Sequence, residues 1–252
     1  MNRGDFIEET YYSFSYSPIR DESGAVAGLF CPSTEVTPKV INARRLQTLA
    51  ELSANALVQK TTDAACASAT ETLGRNPDDI PFAILYLIDV ETGHARLERT
   101  CGIPEGVERL TPRSVDVKAT SGQRSLWPVA DVVNDGRSRI ISIEEAKGLP
   151  LGVGQQTLSQ AMVLPVTSRG EEGTVGVLIA GVSPARKLDL EYRTFYELIA
   201  GQIATAIQNV RAVEEERKRL EALAEIDRAK TTFFSNVSHG NTPYDRRDSF
   251  VA

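Results

Sequence analysis

Histidine and cysteine are scarce in this chain: its 252 residues contain two histidines, His94 and His239, and three cysteines, Cys31, Cys66 and Cys101. The cysteines are odd in number and scattered, with no CxxC or Cys/His spacing. That excludes a disulfide framework and leaves no ligand set for a metal; free thiols in a reducing cytosol fit the pattern. Long apolar runs are missing too. None approaches the roughly 18 residues that cross a bilayer, so no membrane span is expected. The opening MNRGDFIEET has no signal-peptide core, which makes a cytoplasmic protein the expectation. Nor is there a surplus of positive charge. Lys+Arg number 28 against 34 Asp+Glu, a net charge of -6, and without a basic patch no nucleic-acid partner is expected. What is present is the composition of an ordinary soluble globular protein, 41% hydrophobic and 25% charged. It has room for one good core with satellites.

Strand patterns open the chain. YYSFSYSPI (11–19) alternates, with Tyr12, Phe14 and Tyr16 on one face; RDESG supplies a turn and AVAGLFCPSTE a second strand. A lone hairpin is marginal in water, so this piece packs on something or is a remnant. From Asn42 to about Gly74 the pattern turns helical, with Leu46, Leu49, Leu52, Ala56 and Leu57 at three- and four-residue spacing, and Asn76-Pro77 ends it. PFAILYLIDV and ARLERTCGI then read as strands joined across ETGH. A polar, proline-punctuated region (103–128) and a short strand, SRIISI (138–143), follow. After the irregular EEAKGLPLGVGQQ comes a last hairpin, TLSQAMVLPVTS and TVGVLIAGVS around RGEEG. A mostly antiparallel sheet with helices on one face is an α+β sandwich.

The helical pattern that starts at Asp189 meets no breaker before Gly240. At about 1.5 Å per residue it extends to roughly 75 Å, far longer than one small domain needs. Ile199, Ile203, Ala206, Val210, Val213, Arg217, Leu220 and Ala224 alternate in fours and threes, the seam of a coiled coil. Beyond Leu220 the apolar set shifts to Leu223, Ile226, Phe233 and Val237, a register slip that locally over- or unwinds such a pair. Between Glu214 and Arg219 the helix is polar nearly all round, so a parallel dimer is expected.

Three resemblances follow from these runs. The order helix, helix, hairpin, long loops, strand, hairpin, long helix resembles a GAF domain, and AGVSPARKLDLEYRTFYELIAGQIATAI is the stretch that carries this best. The first hairpin with its exit TEVTPKV resembles the final two strands of a PAS domain. EEERKRLEALAEIDRAKTTFFSNVSHG resembles the phospho-accepting segment of bacterial sensor histidine kinases, in which a helix of a dimeric bundle presents an imidazole to ATP. Together they imply a partial PAS hairpin (1–38), a GAF domain (39–212), a signalling helix with the start of a dimerisation helix (213–239), and an atypical tail (240–252).

His239 is the candidate catalytic residue, since a neutral imidazole attacks phosphorus and a pKa near 6.5 leaves it mostly unprotonated at pH 7. The family pattern breaks directly after it. Gly240 stands where the family has an acidic residue, Thr242-Pro243 comes one residue too close, and both Gly240 and Pro243 interrupt a helix. His239 therefore reads as a vestigial phospho-acceptor. ATP and Mg would belong to a kinase domain for which thirteen further residues leave no room, so no kinase activity is expected of the chain alone, and no cofactor on it. GLPLGVG (148–154) lacks GK[ST] and a strand-loop-helix context, and reads as a loop over the GAF pocket.

A GAF domain implies a small-molecule ligand, whose identity stays open. Trp127 reads as a buried aromatic packed on the sheet, and His94, at a hairpin tip, as exposed. Neither histidine is placed to hold haem, and no Cys-His pair suits a bilin. The expectation is a cytoplasmic sensory and dimerisation fragment of a two-component histidine kinase, paired through its C-terminal helix with itself or with a full-length kinase. One alternative is a non-catalytic dimerising or decoy subunit. Another is a stand-alone GAF protein with cysteine redox chemistry at Cys66 or Cys101, although Cys66 reads more simply as a small buried hydrophobe.

Overall fold

The two most apolar runs of the sequence become the centre of the sheet. The computed structural model describes residues 2–3, 6–89, 91–118, 126–143, 148–167 and 173–240, with the backbone alone for 2–3, 6–7 and 235–240. The strands are β1 (Asn2–Arg3), β2 (Phe6–Ile7), β3 (Tyr12–Phe14), β4 (Ser17–Arg20), β5 (Val26–Phe30), β6 (Ser33–Glu35), β7 (Ala83–Asp89), β8 (His94–Cys101), β9 (Ser114–Asp116), β10 (Arg139–Ser142), β11 (Gln160–Val166) and β12 (Gly176–Gly181). The helices are α1 (Thr37–Ala56), α2 (Thr62–Gly74), α3 (Val129–Asp135) and α4 (Leu190–Gly240). By contact density the chain divides into two units, Met1–Val210 and Arg211–Ala252.

In the first unit, β7 to β12 form one antiparallel sheet in the order β10-β11-β12-β7-β8-β9. Alternation divides its side chains between two cores. Ala83, Leu85, Leu87, Met162, Leu164, Leu178 and Ala180 face α2 and the first turns of α4. Phe82, Ile84, Tyr86, Ala161, Val163, Val177 and Ile179 face α3 and the loops. Both faces are covered, which is why β12 is buried along its whole length.

Pro165 lies inside β11 without breaking it. Val175 N–H donates to Val166 O and Val182 N–H to Gln160 O, so even-numbered residues of β11 bond β12. Pro165 faces the other way, beyond the first residue of β10, Arg139, which pairs with Val163. Its missing N–H costs no ladder bond, and it blunts an open sheet edge.

The helices depart from their sequence reading in a telling way. α1 begins five residues before Asn42, at Thr37-Pro38, where proline fits the first turn. α2 is separate, and its N-cap Thr61 accepts from Ala64 N–H at 3.2 Å. The leucine stripe expected to bury α1 does not do so throughout: Leu46 is 65% and Leu57 80% exposed. The buried face is instead Thr37, Ile41, Arg45, Thr48 and Leu52, with polar groups at its centre. β9 and α3 formed inside and just beyond the stretch read as irregular.

The first hairpin is present but divided. β3 pairs with β6 and β4 with β5, and Phe14 and Tyr16 meet edge to face at 5.7 Å while remaining exposed. In α4, the first half of the expected coiled-coil seam has another use. Ile199, Ile203, Ala206 and Val210 are buried within the first unit, Ile199 and Ile203 in the core on the sheet, so they are not free for a partner helix. In the second unit the helix exposes Val213, Leu220, Leu223, Ile226, Phe233 and Phe234. It carries (i, i+4) ion pairs at Arg217–Glu221 (3.0 Å) and Arg219–Glu215 (2.7 Å). The tail from 241 lies outside the described residues.

Phe82 joins the loop-side core to the sheet, with its ring centroid 6.1 Å from that of Trp127. Phe82→Ala is expected to lower unfolding stability by about 3–5 kcal/mol. In urea denaturation followed by fluorescence of the single tryptophan, the native emission should also shift to the red.

Candidate functional site

The face where a small molecule was expected is filled by the protein itself. Trp127 is buried, packs on Phe82, and donates its indole N–H to Leu110 O, the aromatic packing anticipated for it. Tyr86 reaches across the same face to donate to Pro112 O at 3.0 Å, and burial raises its phenol pKa above the ordinary value. The glycine-rich run lies on this core, with Leu149 packed against it. Gly148 has φ +94, and a Cβ there would lie 2.4 Å from Val107 Cγ1; a Cβ on Gly152 would lie 2.4 Å from Pro184 Cδ. These glycines serve close packing and a left-handed turn, not a phosphate.

Two open clefts lie elsewhere. One, of about 920 Å³, runs between the end of α3 (Asn134–Gly136), Pro165 and Thr167 of the β11 region, and Leu198, Gly201 and Thr205 of α4. The other, of about 550 Å³, is lined by Asp89, Thr92, His94, Arg96, Leu97 and Arg113. His94 is exposed, as expected of a hairpin tip, and Arg96 is held by Glu98 at 2.6 Å.

The most concentrated polar chemistry is in neither cleft. It surrounds Asp79, a fully buried carboxylate in the turn between α2 and β7. Arg44 Nε donates to its Oδ2 at 2.7 Å and Arg45 Nε to its Oδ1 at 3.1 Å, both from α1. Asn76 Nδ2 donates to Asp79 Oδ2 and to Thr48 Oγ1, each at 3.1 Å. The Asp79 carbonyl accepts from the Tyr192 hydroxyl on α4, and it shares the single hydroxyl hydrogen of Tyr196 with Gly181 O, the two carbonyl oxygens lying 2.8 and 2.7 Å from that hydroxyl. The Tyr192 hydroxyl in turn accepts Ser183 N–H at 3.1 Å. Arg45 stacks over the Tyr192 ring, 4.0 Å from its centroid.

Glu9 closes the cluster from the N-terminal side, binding Arg44 through both carboxylate oxygens at 2.8 and 3.2 Å. Burial opposes its charge, but the bonds from Arg44 and Tyr11 outweigh that and hold its pKa below the usual value. The Arg44 guanidinium is also desolvated, yet Glu9 and Asp79 push its pKa up. Burial, reinforced by neighbouring groups, raises both tyrosine pKa values. Two buried atoms, Arg45 Nη2 and Ser183 Oγ, have no hydrogen-bond partner among the described residues. The sequence reading missed this cluster, because an Arg-Arg pair on a helix and an Asp-Asp pair in a turn look like solvated surface. The usable signal was an interrupted apolar stripe on α1, with Arg45 and Thr48 at the core-facing spacing.

The remaining candidates are dispersed. His239 lies on the backbone of α4, its last residue but one. Cys66 is buried in α2, and Cys101 at the end of β8 has its thiol pKa pushed up to about 11 by burial, against one backbone bond from Ala83. That environment does not activate a thiolate. Among the described residues no helix is long and apolar enough to cross a membrane, and no group of three or more acidic, cysteine or histidine side chains is arranged to hold a metal.

Comparison with known proteins matches this architecture. A model of the GAF domain family matches residues 55–208, more than half of the chain. The GAF domain of a phosphoenolpyruvate-protein phosphotransferase from Coxiella burnetii superposes with TM-score 0.50 at 13% identity, covering 69% of this chain and 98% of that one. A putative GAF sensor protein from Burkholderia vietnamiensis gives 0.50 at 14% identity, with 68% and 92% covered. At these identities the likeness is one of fold. No curated protein matches the chain.

Asp79→Asn would leave two guanidiniums facing a neutral amide and is expected to cost about 3–5 kcal/mol in denaturant unfolding, the cost of breaking a buried pair. Glu9 gives a pH test. Its folded pKa lies below its ordinary 4.5, so its contribution is full above the unfolded value and fades as pH falls through the depressed one. The stability difference between wild type and Glu9→Gln should therefore be greatest near neutrality and shrink on acidification.

Proposed function

Because the chain belongs to the GAF domain family, we propose that it is the sensory and dimerising part of a two-component sensor histidine kinase. GAF domains are small-molecule-sensing domains found in signalling proteins. In the proposed mechanism, occupancy of the GAF domain changes the angle or register of two parallel α4 helices and so biases a two-state bundle around the phospho-acceptor segment. The partner is a second copy or a full-length kinase, and ATP and Mg act in the kinase domain.

One observation carries this reading: α4 is a single helix from Leu190 to Gly240 that changes the role of its apolar residues along its length. Ile199, Ile203, Ala206 and Val210 are buried in the first unit, although Leu190 and Leu198 are exposed, and from Val213 onward the apolar residues are exposed, at Leu220, Leu223, Ile226 and Phe233. A helix with polar flanks and an unshared apolar row gains by pairing with another such helix. The likeness of DRAKTTFFSNVSH to the acceptor segment supports a histidine-kinase output, and Gly240 after His239 is the reason to treat that output as vestigial. Cys66 and Cys101 give the cysteine-redox alternative no support, since one thiol is buried and the other has a raised pKa.

Sedimentation of the whole chain at roughly tens of micromolar should give a dimer, and a Leu220→Ser, Leu223→Ser, Ile226→Ser triple variant a folded monomer. A wild-type monomer would refute the paired helix. With ATP, Mg and an active histidine kinase, a vestigial His239 acquires no acid-labile phosphate. Labelling that vanishes in His239→Gln would instead make it a working acceptor.

A further inference from the structure

The cluster around Asp79 receives one member from outside the sheet-and-helix framework. Glu9 sits on a short segment, residues 8–11, ahead of the exposed ribbons. Two sets of bonds run from that segment toward α4. The first runs through side chains: Glu9 holds Arg44, Arg44 holds Asp79, and the Asp79 carbonyl holds Tyr192 and Tyr196, which reach Ser183 N–H and Gly181 O. The second is direct. Glu9 N–H donates to Ala185 O at 3.2 Å, and Glu8 lies 3.5 Å from Arg186. Both sets end on residues 181–186, the connection that leads from β12 into α4.

We propose that residues 8–11 form a strap that passes displacement of the N-terminal segment to the β12–α4 connection and the first turns of α4. It is an input separate from anything bound at the sheet, and it depends neither on the ligand nor on what α4 drives. The strap is also tied to the start of α1, where Tyr11 N–H donates to Thr37 Oγ1 at 2.8 Å and Val36 N–H to Tyr11 O at 2.8 Å. A pull on the ribbons therefore reaches Glu9 through hydrogen-bonded backbone rather than through slack chain.

The cluster has the means to survive the strap's release. When Glu9 leaves, Arg44 keeps Asp79 and also Asp78, whose Oδ2 lies 3.1 Å away. What changes is the balance: two guanidiniums then share fewer carboxylates, and the unpaired Arg45 Nη2 and Ser183 Oγ give unused bonding capacity on α1 and on the connection. A network with spare donors at both ends has a second arrangement open to it.

Hydrogen exchange on the full chain tests this. In Glu9→Ala, peptides containing the amides of Ser183, Asp189 and Tyr192 should exchange about tenfold faster, the factor carried by one charge-assisted hydrogen bond. β7 and β12 should keep wild-type rates. Glu9→Gln should loosen the same peptides to a smaller degree. Asp78→Asn, which removes a negative charge beside Arg44 without touching the strap, should leave them unchanged. Loosening confined to residues 8–11 would overturn the proposal by ending the strap at Arg44. Loosening of β7 and β12 to the same degree, or the same pattern in Asp78→Asn, would overturn it by reducing the effect to a general loss of stability.

Discussion

The buried carboxylate of Asp79 is the interaction on which the rest of the first unit depends. A lone carboxylate in such a place would cost many kcal/mol or take up a proton. Here two arginines from α1 and an asparagine from its own turn meet the side chain, while two tyrosine hydroxyls from α4 meet its carbonyl. Those partners come from three elements that no sheet hydrogen bond connects. The apolar core on that face sets how closely α1, α2 and α4 approach, but apolar contacts are forgiving of small rotations. The directed bonds at Asp79 fix which turn of α4 lies over which turn of α1.

The same helix then serves two solvents. Within the first unit, α4 spends Ile199 and Ile203 on the sheet; in the second, its apolar residues face water. One helix, Leu190 to Gly240, carries both kinds of face. The Asp79 cluster holds that helix near its start.

Most of the sheet was legible in the sequence, since AILYLID and GVLIAG are buried on both faces and read as strands whatever their neighbours. The hairpin partners followed from short turns. β9 and α3 were not legible, because three- and seven-residue elements in a loop-rich stretch are stabilised by what they pack on, here the Trp127 core. The seam on α4 was legible as a period but not as a destination: periodicity shows that a face is buried, not whether its cover is the same chain or another. The polar cluster was the least legible. Arg44, Arg45, Asp78 and Asp79 belong to residue types that usually face water, and only the fold brings them, together with Glu9, to one place.

A double-mutant cycle between Glu9→Gln and Tyr196→Phe tests most directly whether the cluster acts as one unit, because these two residues share no bond with each other. If Arg44 and Asp79 link them, the two stability losses should depart from additivity by at least about 0.5 kcal/mol. Additivity within about 0.3 kcal/mol would show separate bonds rather than a network, and would contradict the account.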